Sequence, residues 1–166
     1  MNAIMWARIV LALLFVSIGS AARCETTQAG NEQLIVEATK AFHACYGLKG
    51  VNIIHEGHVI CLHDEIGPSM FVKLMRSRSE IKEHPFVVMA SPGGRLDSSL
   101  DIIRMLDTYQ PTPVVGEMCV SACAQFLFLM GQQRVLLHCG VVAMHGAPES
   151  IDANLARAVS NSTCNT

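Results

Sequence analysis

The sequence predicts an α/β domain built on a mostly parallel sheet. Three observations carry this expectation. Strand-length and helix-length segments alternate as β, α, β, α, β, α, β with short connections between them. The five residues Phe86 to Ala90 are apolar throughout, the pattern of a strand covered on both faces. Apolar residues make up 51% of the 166 and charged residues only 16%. That composition excludes a disordered or collagen-like chain, and the length suits one domain with a sizeable core.

The elements follow in chain order. Leu34 to Tyr46 reads as a short helix closed by Gly47 and Gly50, followed by a strand over Val51 to Ile54. His58 to His63 alternates β-branched residues with others, so the two strands form a hairpin turning at Glu56-Gly57. From Met70 to Ile81 the residues Met70, Phe71, Leu74, Met75 and Ile81 recur at helical spacing among Lys73, Arg76, Arg78 and Glu80, an amphipathic helix. Pro85 stops it, and the buried strand Phe86 to Ala90 runs into the loop Ser91-Pro92-Gly93-Gly94. Leu96, Leu100, Ile103 and Leu106 mark one face of the next helix, with Asp97 in its first turn and Pro111 and Pro113 ending it. Val114 to Met118 is a strand, and Ser121 to Met130 is a helix apolar nearly all round, hence buried, stopped at Gly131. Val135 to Leu137 and Val141 to Met144 complete the set as short strands.

Residues 1 to 22 have a secretory layout: Arg8, an apolar run from Ile9 to Ile18, then Gly19, Ser20, Ala21 and Ala22, with cleavage after Ala22. The alternative is an uncleaved membrane anchor over residues 9 to 22, although the run is shorter than the ~20 residues that span a bilayer comfortably. Arg23 stands where lipidation of Cys24 would need a small residue. Residues 23 to 33 are a polar lead-in, and the domain runs from 34 to 166. Export allows the seven cysteines to pair in up to three bridges, with connectivity open. Cys119 and Cys123 bracket Ser121, and two readings stand side by side: a local bridge stiffening a strand-to-helix turn, or two small buried hydrophobes.

Several functions are disfavoured. A net charge of −2 with scattered Lys and Arg leaves no footprint for nucleic acid, and 5% aromatics with a single Trp leave few platforms for base stacking. His55, His58, Cys61 and His63 lack zincin spacing, and strand alternation separates them, so they read as ordinary strand residues and no metal site is expected. Gly93-Gly94 lacks the further glycine or the Gly-Lys-Ser/Thr ending of nucleotide loops, so no cofactor is expected either. All four lysines precede Ser121, which disfavours a Ser and Lys pair.

Chemistry gathers at three junctions. Adjacent glycines between a buried strand and a helix let N–H groups aim at a developing negative charge, although Pro-Gly-Gly is also an ordinary turn. Cys119-Val120-Ser121-Ala122-Cys123 sets a hydroxyl at a strand-to-helix corner near the positive helix end, where a serine also serves as a plain N-cap. His145 follows the strand Val141 to Met144 and suits a general base for a neighbouring hydroxyl.

From about His58 to Pro148 the sequence resembles the Clp protease proteolytic subunit family of the ClpP/crotonase superfamily, particularly its exported bacterial relatives. The resemblance rests on Phe86 to Ala90 with Ser91-Pro92-Gly93-Gly94, the corner Cys119 to Cys123, Gly131-Gln132-Gln133-Arg134, and Ala143-Met144-His145-Gly146. It implies ββα spiral repeats, Ser121 as nucleophile, His145 as base, Gly94 and Ala122 as oxyanion donors, and Gly93 at the substrate. It also implies a periplasmic serine peptidase acting on a peptide or protein, and a homo-oligomer, trimeric or hexameric. The family's orienting acid comes from a later region expected to be missing here, and Glu149 and Asp152, the carboxylates after His145, do not stand at its distance. An inactive scaffold that binds peptides or partner subunits is therefore the alternative function. Acyl-CoA chemistry of the crotonase kind fits less well with export.

Overall fold

The computed structural model describes residues 30–144. Helix α1 spans residues 30–45, so helical structure already includes residues 30–33, which the sequence assigns to the lead-in. The chain divides into two compact units, Met1–Glu37 and Ala38–Thr166, and the sheet lies in the second.

Strands β1 (Val51–Ile54) and β2 (Val59–His63) form the expected antiparallel hairpin, with Val51 opposite Leu62 and Ile54 opposite Val59. Its turn at His55–Gly57 places His55 and Glu56 at φ 50° and 56° and Gly57 at φ 93°. Glycine is required there, because a Cβ at 57 would run into the Glu80 carbonyl. Among the described residues every other pairing is parallel. Strand β2 lies beside β3 (Phe86–Ser91), and β3 beside β4 (Thr112–Val120). The short strands β5 (Val135–Leu136) and β6 (Val141–Ala143) share the far side of β4, β5 along Val114 and Val115 and β6 along Met118 to Val120. An α/β fold with a mostly parallel sheet is thus what these residues form.

The two-residue period of the strands sorts the core into faces. Ile60 and Leu62, Val87 and Met89, and Val115 and Cys119 turn to one face, where Met70 and Leu74 of α2 (Pro68–Arg76) and Ile102 and Leu106 of α3 (Leu96–Leu106) cover them. Cys61 points the other way and is disulfide-bonded to Cys45 of α1, and Gly116 lies under the Phe42 ring of the same helix. Ala38, Ala41 and Cys45 form the buried stripe of α1 at helical spacing. Helices therefore cover both faces, which is why the central strands carry no polar alternation.

Four further elements depart from the sequence expectation. The helix expected over Met70 to Ile81 ends at Arg76; Arg78–Glu80 is a 3₁₀ turn, and Ile81 is extended and buried. Lys82 N–H donates to the Gly57 carbonyl, so the hairpin turn draws this backbone out of the helix. Helix α3 presents Ser98, Ser99, Ile102 and Leu106 to the interior, whereas Leu96 is 52% exposed. Small serines allow the close approach, and the Ser99 hydroxyl is satisfied by the Arg95 carbonyl at 2.9 Å. The strand expected over Val114 to Met118 extends from Thr112 to Val120, because β3 and β6 supply partners at both ends. The long helix expected over Ser121 to Met130 is a π-helical turn, Cys123–Leu127, closed by Phe128 N–H on the Cys123 carbonyl. Its ends are held separately, Cys123 by a disulfide to β4 and Gly131 against the Pro111 carbonyl. It is buried as expected, through Ala122, Cys123, Ala124 and Leu127.

Candidate active site

Parallel strands deliver their C-terminal ends to one edge of the sheet, and there the loop after β3 meets the corner after β4. Ser91 is the last residue of β3 and 1% exposed. Its Oγ accepts the Gly93 N–H at 3.1 Å and donates to the Gly93 carbonyl at 3.4 Å. That carbonyl also accepts the Ile66 N–H at 2.8 Å, and the Ile66 carbonyl accepts the Arg95 N–H at 2.8 Å. Ile66 thus bonds to the residues on either side of Gly94, which leaves the Gly94 N–H outside the ladder. Gly93 sits at φ 97° and Gly94 at φ 146°. A Cβ at 94 would collide with the Ile66 carbonyl, so the glycine is needed for close approach as well as conformation.

Across from this loop, Ser121 adopts the left-handed conformation, φ 57°, rare for a residue with a side chain. Its N–H donates to the Ala143 carbonyl at 2.9 Å, and its own carbonyl accepts the Gln125 N–H at 2.8 Å. Those bonds hold the corner between β6 and the helical turn. The residue at the N-cap of that turn is Ala122, so the N-cap place that a serine also suits does not fall to the half-buried Ser121. The Ala122 N–H belongs to the first turn, where amides have no intrahelical acceptor. Cys119 and Cys123 are disulfide-bonded, their Cα atoms 5.3 Å apart, so the local bridge is the reading the fold selects.

The loop and the corner touch. A Cβ at 93 would lie 2.6 Å from the Val120 carbonyl oxygen, 2.7 Å from Ser121 Cβ and 3.0 Å from the Ala122 nitrogen. Gly93, Gly94, Ser121 and Ala122 are therefore assembled at one place from segments far apart in the chain. His145 lies outside the described residues; it follows Ala143, the partner of Ser121, by two positions. The N-terminal segment 1 to 22, Glu149 and Asp152 lie outside them too. Beyond Gly94, Arg95, Leu96, Asp97 and Leu100 line an open hollow of about 410 Å³. The Arg95 guanidinium grips the Asp97 carboxylate at 2.6 and 3.0 Å and, with the Ser98 N–H, lowers the Asp97 pKa from 3.8 to about 2.

Sequence reasoning missed Ile66 and the Ser91 hydroxyl. Ile66 acts through its main chain, which carries no residue-type signal. A serine before Pro-Gly is a local signal, since short hydroxyls bond to backbone two residues on. The His and Cys group near the hairpin is dispersed: Cys61 is in the disulfide, His55 is in the turn, and His63 is buried with Nδ1 2.6 Å from the Leu48 carbonyl oxygen. Among the described residues, no helix is long and apolar enough to cross a membrane.

No protein-family model matches the chain, and no curated protein matches it. Solved structures similar to it include ClpP1 from Listeria monocytogenes, 17% identical over 43% of this chain and 45% of that one, with a TM-score of 0.38. They also include the ClpP protease catalytic domain from Plasmodium falciparum, 14% identical over 46% of this chain and 52% of that one, again with a TM-score of 0.38. The matched part thus spans about half the length of each of those proteases.

Proposed function

We propose that the chain is an exported, peptidase-like serine hydrolase with Ser121 as nucleophile and His145 as general base. The observation that carries this reading is the left-handed Ser121, uncommitted to capping, packed against the bare Cα of Gly93 and one residue from the Gly94 amide. The Ser121 Oγ attacks a peptide carbonyl, and His145 takes the hydroxyl proton and returns it to the leaving amine. Water then releases the acyl group, with His145 again as base. The oxyanion is held by the Gly94 and Ala122 N–H groups, donors that need no reorganisation as charge develops. Gly93 has its own N–H engaged by the Ser91 hydroxyl and its carbonyl by the Ile66 N–H, so its part is to admit substrate and serine at close quarters. Support for His145 comes from β6, which brings the chain to within one hydrogen bond of Ser121 two positions earlier. The disulfides Cys45–Cys61 and Cys119–Cys123 favour an oxidising compartment, in keeping with export to the periplasm.

The test is labelling of the purified, oxidised protein with a fluorophosphonate probe. Wild type is labelled, Ser121→Ala is not while melting at the same temperature, and His145→Ala is slowed by about two to four orders of magnitude. Equal labelling of Ser121→Ala, or none of a well-folded wild type, overturns the proposal; peptide binding without labelling would point to a silent scaffold.

A further inference from the structure

We infer that Ser91 is a positioning residue that aims the Gly94 amide at the reacting carbonyl; this rests on the hydrolase reading above. Ser91 is too deeply buried to meet a substrate, yet its hydroxyl engages both polar groups of Gly93. The consequence follows from peptide geometry. In a trans peptide the C=O and the next N–H point in opposite directions. The Gly93 carbonyl faces the Ile66 N–H, so the Gly94 N–H points away from Ile66 and out of the ladder.

Glycine at φ 97° has ample freedom to rotate that peptide plane and turn the donor inward. Ile66 holds the plane from one side only. Ser91 holds the preceding plane through the Gly93 N–H, so rotation about Gly93 must break a bond at one end or the other. The fold thus spends a buried hydroxyl on a loop rather than on a helix cap or a ladder, at the residue where β3 ends. Without it, the loop keeps its chain path and loses the unique orientation of one amide. Misaiming an oxyanion donor reduces turnover while leaving ground-state binding intact, because the donor matters most once the negative charge forms.

The experiment compares wild type, Ser91→Ala, Ser91→Cys and Ser91→Thr, measuring fluorophosphonate labelling rate, kcat and KM for p-nitrophenyl acetate, melting temperature, and hydrogen exchange at the Gly93 amide. Ser91→Ala and Ser91→Cys should lower kcat and labelling about tenfold to a hundredfold with KM unchanged, and should speed Gly93 exchange. Ser91→Thr, which keeps the hydroxyl, should recover to within about threefold of wild type. Wild-type rates in both Ser91→Ala and Ser91→Cys overturn the inference and leave the hydrolase standing. A kcat loss that tracks melting temperature and is not rescued by threonine also overturns it. A folded wild type that is neither labelled nor active removes the hydrolase reading and this inference with it, whatever Gly93 exchange shows.

Discussion

A methyl group on Gly93 would stand 2.7 Å from the Cβ of Ser121, closer than side chains pack, so these two residues meet only because one of them has no side chain. The contact joins the loop after β3 to the corner after β4, and it couples the candidate donors to the candidate nucleophile. Gly93→Ala should therefore destabilise the fold by about 3 kcal/mol, combining a clash with a left-handed backbone that alanine resists. Chemical denaturation would measure the loss, and labelling of Ser121 should fall with it even below the melting transition.

Disulfides Cys45–Cys61 and Cys119–Cys123 close loops of different length. Cys45 and Cys61 are 16 positions apart, Cys119 and Cys123 only 4. Loop-closure entropy assigns about 3 kcal/mol to the first and about 2 kcal/mol to the second. Replacing both cysteines of each pair by alanine should lower stability in that order. Only the loss of Cys119 and Cys123 should also slow probe labelling, since that bridge spans Ser121. Equal effects on labelling would show that the corner is held by its main-chain bonds alone.

Strand β4 passes Gly116 directly beneath the Phe42 ring, and a Cβ there would lie 2.5 Å from two ring carbons. Gly116→Ala should cost about 1 to 3 kcal/mol by overpacking. In a double-mutant cycle, Phe42→Ala should relieve much of that penalty, giving a coupling energy that additive effects would not. Denaturant midpoints of the four proteins decide it.

Asp97 titrates low because the Arg95 guanidinium, and then the Ser98 N–H, bond to its ionised form. A carboxyl lowered on folding adds stability above its unfolded value of 3.8, and the contribution is lost as pH falls towards about 2. Both side chains are more than half exposed, so the effect on melting is small, and carboxyl carbon NMR is the sharper measurement. Its midpoint should lie at about 2 in wild type and move up towards 3.8 in Arg95→Ala. It should stop short of that value, because the Ser98 amide remains.

Much of the fold is legible in local pattern. The strand Val51–Ile54 has the bounds its neighbouring glycines suggest, the Glu56-Gly57 turn closes its hairpin, and the unbroken apolar run at Phe86 is a strand flanked by strands on both sides. What misleads is hydrophobicity read without a partner. Leu96 begins α3 with the periodicity of a buried face, yet Ser98 and Ser99 take the interior, because fit against the neighbouring elements decides which stripe goes in. The length of the helix after Ser121 was equally out of reach, since a disulfide and a glycine contact set its ends.

By itself, then, the sequence determined the element types, the glycine pair, and a serine between two cysteines at a strand-to-helix junction, because turn chemistry and side-chain period act over a few residues. Tertiary structure alone decided that Cys45 pairs with Cys61, that β5 and β6 share one side of β4, and that Ile66 and Ser91 hold the glycine loop against Ser121. Those relations join distant segments through main-chain hydrogen bonds and the space a missing side chain leaves, neither of which marks the residues that make them.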